Sequence, residues 1–359
     1  MLRNIDIDLV YQPIIDGPPQ REGNLFERAC GGDDATITKW RDIWLSHTKA
    51  AKERFGNFAD YSIGKLHNIN RNKPAIVCGS GPSLKYSLDA LRSNRAMSEP
   101  LMTVSCLHNF GLFEDENCHA DYYLTLDSGE IVIEDVFESR KESAEFYWAK
   151  TKDKTLLATV ATDPKLFDLW QGKIVLFTVI IPDAKVHAEL QAIEKFTHYV
   201  SCGGNALGAC FYIAKAIFGS NPIMFVGADF CFDYDNKFHS YKTHYDNLGG
   251  YVVHTDVFGN MRKTWPSYLN FKFWFDHIAC NVPGSYINCS EGLLGSYREG
   301  NIRQFQYMSL KDALIPYQSN DKVTLQTIDA MTGQIAGNSE LLLKDYFNNS
   351  KFEKDLVLF

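Results

Sequence analysis

From residue 74 onward, short runs of consecutive apolar residues alternate with segments whose apolar positions recur every three or four residues. The runs 75–78, 101–105, 122–126, 155–160, 174–180 and 223–226 are too short for helices. Being apolar at successive positions, they predict strands buried on both faces. The intervening segments 83–92, 131–140, 164–170, 184–196 and 205–218 carry helical spacing. Strand and helix in alternation predict an α/β, Rossmann-like fold, a mostly parallel sheet with helices on both faces. Ligands in such sheets bind beyond the carboxyl ends of the strands, so chemistry is expected in the residues just after each one.

Outside this core the rhythm changes. Residues 1–35 are rich in Pro, Gly and Asp and read as an irregular arm. Ile37, Trp40, Trp44, Ala51, Phe55 and Phe58 then mark one face of a long helix, with Thr36 as its N-cap. Residues 63–72 read as a linker. After Asp229 the aromatic, polar stretch 230–250 has no period and predicts a long loop over the site. A hairpin (251–255 with 260–264), a helix (266–280) and a short strand (286–288) follow, and the remainder is amphipathic and reads as helical. The expected organisation is an N-terminal arm and helix (1–70), a catalytic domain (71–300) and a C-terminal helical extension (301–359).

Composition narrows the class. The 359 residues are 45% apolar and 13% aromatic, ample for a packed core. Lys and Arg number 36 against 44 Asp and Glu, a formal charge of −8, which argues against a nucleic-acid binder. Nine cysteines are present without a CxxC pair, so buried, reduced thiols are expected. No signal peptide is visible at residues 1–6, and no apolar run approaches the ~20 residues of a membrane span. A cytoplasmic protein without a membrane span is expected.

The sharpest local signal is Gly79-Ser80-Gly81-Pro82-Ser83-Leu84, where a strand runs into two glycines and a proline at the first turn of a helix. Glycines let backbone approach a ligand, and a helix N-terminus offers N–H groups to phosphate. A tight turn with no ligand is the plainer reading. The dinucleotide fingerprint fails, because Leu84 stands where the third glycine belongs and the second strand ends in Ser105 rather than an acid. Asn109 follows that strand and can reach a base or sugar. Asp127 and Asp229 each end an apolar run, where a carboxylate can hold a metal or a hydroxyl; Asp127 reads equally as a helix cap. Gly203-Gly204-Asn205 reads as a second anion or ribose cradle, or else the small residues Ala206, Gly208 and Ala209 that follow indicate close helix–sheet packing. His239 and His244 lie in the long loop and suit acid–base work, or mere solvation. Asn288, Ser290 and Glu291 close a late strand with polar groups able to reach the same cleft. Walker A, HExxH, GxSxG and zinc-ligand spacings are absent from the sequence.

Taken together, the glycine loop, Leu124-Thr125-Leu126-Asp127, Gly203-Gly204, Val226-Gly227-Ala228-Asp229, His239 and Asn288-Cys289-Ser290-Glu291-Gly292 resemble the MptE-like family over roughly residues 40–300. That family is named for the archaeal 6-hydroxymethylpterin diphosphokinase and includes the Maf flagellin glycosyltransferases. The G-x-G-P-S-L loop also resembles that of bacterial sialyltransferases using CMP-sialic acid. The resemblance implies that Gly79, Gly81 and Ser83, flanked by Ser80 and Pro82, bind nucleotide phosphate, with Asp127 and Asp229 lining the donor or metal site. Two activities follow. One is transfer of a CMP-activated nonulosonic sugar to a hydroxyl, on a protein or glycan, with His239 or Asp229 removing the proton. The other is a pyrophosphokinase in which Asp127 and Asp229 hold Mg²⁺ against ATP. An inactive nucleotide-binding module is a third reading.

Overall fold

The computed structural model describes residues 25–138, 140–179, 183–193, 199–200, 202–240, 251–282, 284–296 and 305–318. Nine strands among them form one sheet: β1 (Ala75–Cys78), β2 (Met102–Cys106), β3 (Tyr122–Thr125), β4 (Thr155–Thr159), β5 (Lys173–Val179), β6 (Tyr199–Val200), β7 (Ile223–Val226), β10 (Tyr286–Asn288) and β11 (Phe305–Tyr307). Their order is β11-β10-β7-β1-β2-β3-β4-β5-β6, with every pairing parallel. The chain winds outward from β1 to β6, then returns to lay β7 against the other side of β1. The direction of winding therefore reverses between β1 and β7, which is where an α/β sheet opens its ligand crevice. β1, β7 and β10 are buried at every residue, which explains the uninterrupted apolar runs of β1 and β7. A separate antiparallel hairpin joins β8 (Val252–Thr255) to β9 (Met261–Thr264).

The helices that bear on the site are α1 (Leu25–Phe55), α2 (Leu88–Arg95), α3 (Phe110–Asp115), α4 (Ala144–Lys150), α5 (Pro164–Leu169), α6 (Ala184–Ile193), α7 (Ala206–Tyr212), α8 (Pro266–Asn281) and α9 (Leu310–Gln318). Helix α7 lies across β1, β2 and β3, while α9 packs on β7 and α2. Phe211 of α7 meets Phe225 of β7 and Trp274 and Phe275 of α8, so aromatic contacts join helix, sheet and helix. Helix α1 packs on α6, where Arg41 grips Glu189 through both guanidinium edges at 2.9 and 2.7 Å.

Several expectations are corrected. The first helix begins at Leu25, so residues 25–35 are helical and Thr36 lies inside the helix rather than capping it. The segment 63–72 is no mere linker: Ile63 is wholly buried, Leu66 is buried, and Ser62 bridges Leu176 of β5. Residues 82–87 form a 3₁₀ turn before α2, and residues 131–133 pass into a π-turn at 134–138. The segment 205–218 likewise ends in a π-turn, over 213–217. Helices α3 and α4 and the short strands β6 and β11 carried too little apolar pattern to be read. β11 adds an edge strand to the sheet from within the segment expected to be wholly helical. Seven described cysteines are buried and outside any disulfide. No described helix is long and apolar enough to cross a membrane.

Candidate functional site

At the reversal point the turn after β1 and the turn after β7 interlock through their backbones. The Gly79 N–H donates to Val226 O and the Gly81 N–H to Gly227 O, both at 2.8 Å. A Cβ on Gly79 would stand 2.4 Å from Gly227 O, and one on Gly227 would stand 2.5 Å from Gly79 O. Gly227 also has φ +61°. Gly81 has an ordinary φ of −68°, so glycine is required there for space and not for conformation. The glycines thus serve the approach of two strand ends, and the N–H groups of 79 and 81 are spent within the protein.

Asp229 completes this junction. Its carboxylate Oδ2 accepts the Ser83 N–H at 2.9 Å and lies 2.1 Å from where a Gly81 Cβ would be. The group that a helix N-terminus would offer to phosphate is therefore taken by the protein's own acid. Burial pushes the Asp229 carboxyl up to about 6, opposed by the hydrogen bond from the Ser83 N–H. Behind it the Leu293 N–H donates to Asp229 O at 2.7 Å, and Gly292 admits no side chain because its Cβ would meet Asp229 backbone at 2.1 Å.

The remaining expected residues divide into scaffold and surface. Asn109 is wholly buried and donates through Nδ2 to Gly79 O (2.9 Å) and Ser105 Oγ (3.0 Å); its Oδ1 is left without a hydrogen-bond partner. Asn205 caps α7, accepting the Gly208 N–H at 2.9 Å. Gly203 and Gly204 make room for Trp274 and Phe271, which stand 2.4 and 2.7 Å from their would-be Cβ atoms. Leu207 brings the α7 start to 3.3 Å from a Gly79 Cβ position. Asn288 and Ser290 are buried and spend their side chains on the β10 turn: Asn288 Nδ2 donates to Leu294 O (2.8 Å), and Ser290 Oγ accepts the Ala228 N–H (2.8 Å). Glu291 is partly exposed at the crevice.

His239 is brought to the loop. The Ser240 N–H donates to Ser80 O at 2.9 Å, and His239 Nδ1 sits 3.3 Å from the same oxygen. With the proton on Nδ1, that carbonyl is its acceptor. Asp127, at the end of β3, faces His108 Nδ1 at 3.9 Å. It does not join Asp229: β1 and β2 lie between their strands, a separation of about 14 Å at ~4.8 Å per strand. The two acids do not fit a single Mg²⁺, and no group of three potential metal ligands occurs among the described residues. His244 lies outside the described residues.

Beside Asp229 opens a cleft of ≈120 Å³ whose walls include Lys85, Tyr86, Asp233, Tyr234, Arg262 and Glu291. Lys85, Tyr86 and Arg262 were not anticipated. Their only signal in the sequence is adjacency, Lys85-Tyr86 following the glycine loop, and Arg262 reaches the cleft solely through the hairpin. His108 was also missed, although it precedes Asn109.

Fold and crevice together define an α/β, Rossmann-like protein, with its candidate site at the reversal of a parallel sheet. The sequence profile of the family "6-hydroxymethylpterin diphosphokinase MptE-like" matches residues 49–235, just over half the chain, so the protein belongs to the MptE-like family. Among solved structures, that of the Maf glycosyltransferase from Magnetospirillum magneticum AMB-1 superposes with a TM-score of 0.53 at 14% identity over 85% of this chain. This chain spans 44% of that protein's length. No curated protein matches the sequence.

Proposed function

We propose that the protein is a nucleotide-dependent glycosyltransferase that moves a CMP-activated, sialic-acid-like sugar to a hydroxyl acceptor. The observation that carries this reading is the pairing of two proton acceptors at one loop. Asp229, raised by burial to about 6, abuts Gly81, and His239 rests on Ser80. Deprotonating an acceptor hydroxyl as it attacks a sugar carbon requires such a base. The shared fold with a glycosyltransferase supports the reading at the level of scaffold.

In this mechanism the donor lies over the ends of β1 and β2. Because the loop's N–H groups at 79, 81 and 83 are occupied, side chains hold the nucleotide in their place. Asn109 Oδ1 and Ser240 Oγ are buried without partners on either side of the loop, and each can pair with a sugar or base hydrogen. Leaving either unpaired costs ~1–3 kcal/mol, a penalty that a bound donor removes. The acceptor hydroxyl approaches from the Asp229 side. Its proton passes to Asp229 or to His239 Nε2 as the new C–O bond forms and the nucleotide phosphate departs.

The family's namesake activity supports a second reading, a pyrophosphokinase using ATP and Mg²⁺ on a pterin-like alcohol. It would need its metal held by Asp127 or Asp229 singly, given their separation. Thermal-shift measurements with CMP, CDP, ATP and AMP, each with and without Mg²⁺, separate the two. Metal-independent stabilisation by CMP is expected, and stabilisation by ATP with Mg²⁺ alone would overturn the glycosyltransferase.

A further inference from the structure

The cleft beside Asp229 has a composition that sorts its occupant. Asp229, Asp233, Asp235 and Glu291 contribute four carboxylates, against only Lys85 and Arg262. Both cations are engaged. Lys85 Nζ lies 3.7 Å from Asp233 Oδ2, and Arg262 Nε donates to the wholly buried Asp256 at 2.9 Å. A phosphate or carboxylate entering here would meet net negative potential, with no uncommitted cation among the described residues that line the cleft. The donor's phosphate accordingly belongs elsewhere in the crevice.

Two tyrosines border the opening, Tyr86 at 64% exposure and Tyr234 at 70%. The Arg262 guanidinium stacks on the Tyr234 ring at 3.6 Å, and Lys85 lies over Tyr86 at 4.9 Å. One face of each ring is thus covered by the protein's own cation, which also fixes the ring's position. Phe258 and Tyr307, in edge contact at 5.2 Å, are likewise exposed on the neighbouring hairpin and edge strand. The exposed rings of Tyr86 and Tyr234 at a hollow lined by carboxylates match a pyranose: its C–H face packs on a ring while its hydroxyls donate to the acids. A phosphorylated acceptor is opposed by the charge, and a peptide offers fewer hydroxyls to the carboxylates of Asp229, Asp235 and Glu291, Asp233 being held by Lys85 and two backbone N–H groups.

We infer that this cleft is the acceptor subsite and that it takes a neutral carbohydrate chain, whose terminal hydroxyl is presented to Asp229. This rests on the transferase reading above but concerns the opposite half of the crevice from the donor. Tyr86 and Tyr234 position the sugar and take no part in proton transfer.

Saturation-transfer NMR tests it on wild type, Tyr86→Ala and Tyr234→Ala, using a panel of neutral oligosaccharides, glucose 6-phosphate and a Ser/Thr-rich peptide. The CMP thermal shift is recorded on the same samples. At least one neutral oligosaccharide should bind, with Kd raised about tenfold in each variant and the CMP shift unchanged. The inference is overturned by absence of oligosaccharide binding, by tighter binding of the sugar phosphate or peptide, by an unchanged Kd in both variants, or by loss of the CMP shift in the variants. If oligosaccharide binds the cleft as expected while CMP fails to shift even wild type, the donor reading falls and the carbohydrate cleft stands.

Discussion

The Asp229 carboxylate accepts the Ser83 N–H at 2.9 Å, in the space that any side chain at position 81 would fill. One acid thereby links the two turns flanking the crevice and occupies the helix start that the glycine loop advertises for phosphate. It remains in the wall of a solvent-reaching cleft, where a hydroxyl can meet it. Its buried charge is a cost to the fold, as expected of a group retained for chemistry.

Replacing Asp229 by Asn tests that cost. With its folded value raised to about 6 from an ordinary 3.8, the group favours folding fully below pH ~4, and the benefit is lost as pH rises through 6. Asp229→Asn keeps an acceptor for Ser83 without the charge. It should be more stable than wild type at pH 8, by up to roughly 3 kcal/mol, and lack the wild-type decline between pH 4 and 6, while transfer is abolished if Asp229 carries the proton. Denaturant titration from pH 4 to 8 measures this; a less stable variant at pH 8 would show the acid to be structural.

Gly81→Ala should destabilise by ~1–3 kcal/mol, because the new methyl meets both the Asp229 carboxylate and Gly227 O. Removing the acid relieves one of these clashes. In a double-mutant cycle, Gly81→Ala should therefore cost less in an Asp229→Gly background. Additive costs would contradict the packing described. A larger residue such as Val at 81 would report on folding before it reported on ligand binding.

His239→Ala removes an imidazole that rests on Ser80 O from a partly exposed loop. Turnover should fall ~10²–10⁴-fold if His239 carries the proton, with the melting temperature nearly unchanged and CMP still stabilising. Turnover within a factor of two of wild type would assign the proton to Asp229 alone.

Away from the site, Lys215 is 4% exposed at the opposite end of β7, and among the described residues its amine meets Asn221 Oδ1 at 3.3 Å and the Tyr286 ring. Burial lowers it to about 7. The unfolded chain binds this proton below about 10.5 and the folded chain only below about 7, so stability falls as pH drops through that interval. Lys215→Met should raise stability at pH 7 by on the order of 4 kcal/mol and flatten its rise between pH 7 and 10, as read by thermal melts. Destabilisation across that whole range would mean that the amine is satisfied where it lies.

How far the chain was legible follows from which interactions are local. β1 and β7 could be read to the residue, because strands buried on both faces must be apolar throughout, and that requirement is written in adjacent positions. The glycine loop was equally visible, since Pro82 and the glycines mark a strand-to-helix turn by local backbone needs. What the glycines are for was not visible. Gly79 and Gly81 are small because another turn, almost 150 residues away, presses against them, and no local pattern encodes that approach. Asn109, Asn205, Asn288 and Ser290 share one ambiguity: a buried amide or hydroxyl looks the same in sequence whether it holds a ligand or the backbone. Their hydrogen bonds placed them in the scaffold and left only Asn109 Oδ1 open. Tertiary structure alone also kept Asp127 from Asp229, through the insertion of β1 and β2 between their strands, and brought Lys85, Tyr86, Tyr234 and Arg262 around one cleft. Sequence determined the strands and turns because their rules span a few residues; the order of strands decided which turns became neighbours, and with that the site.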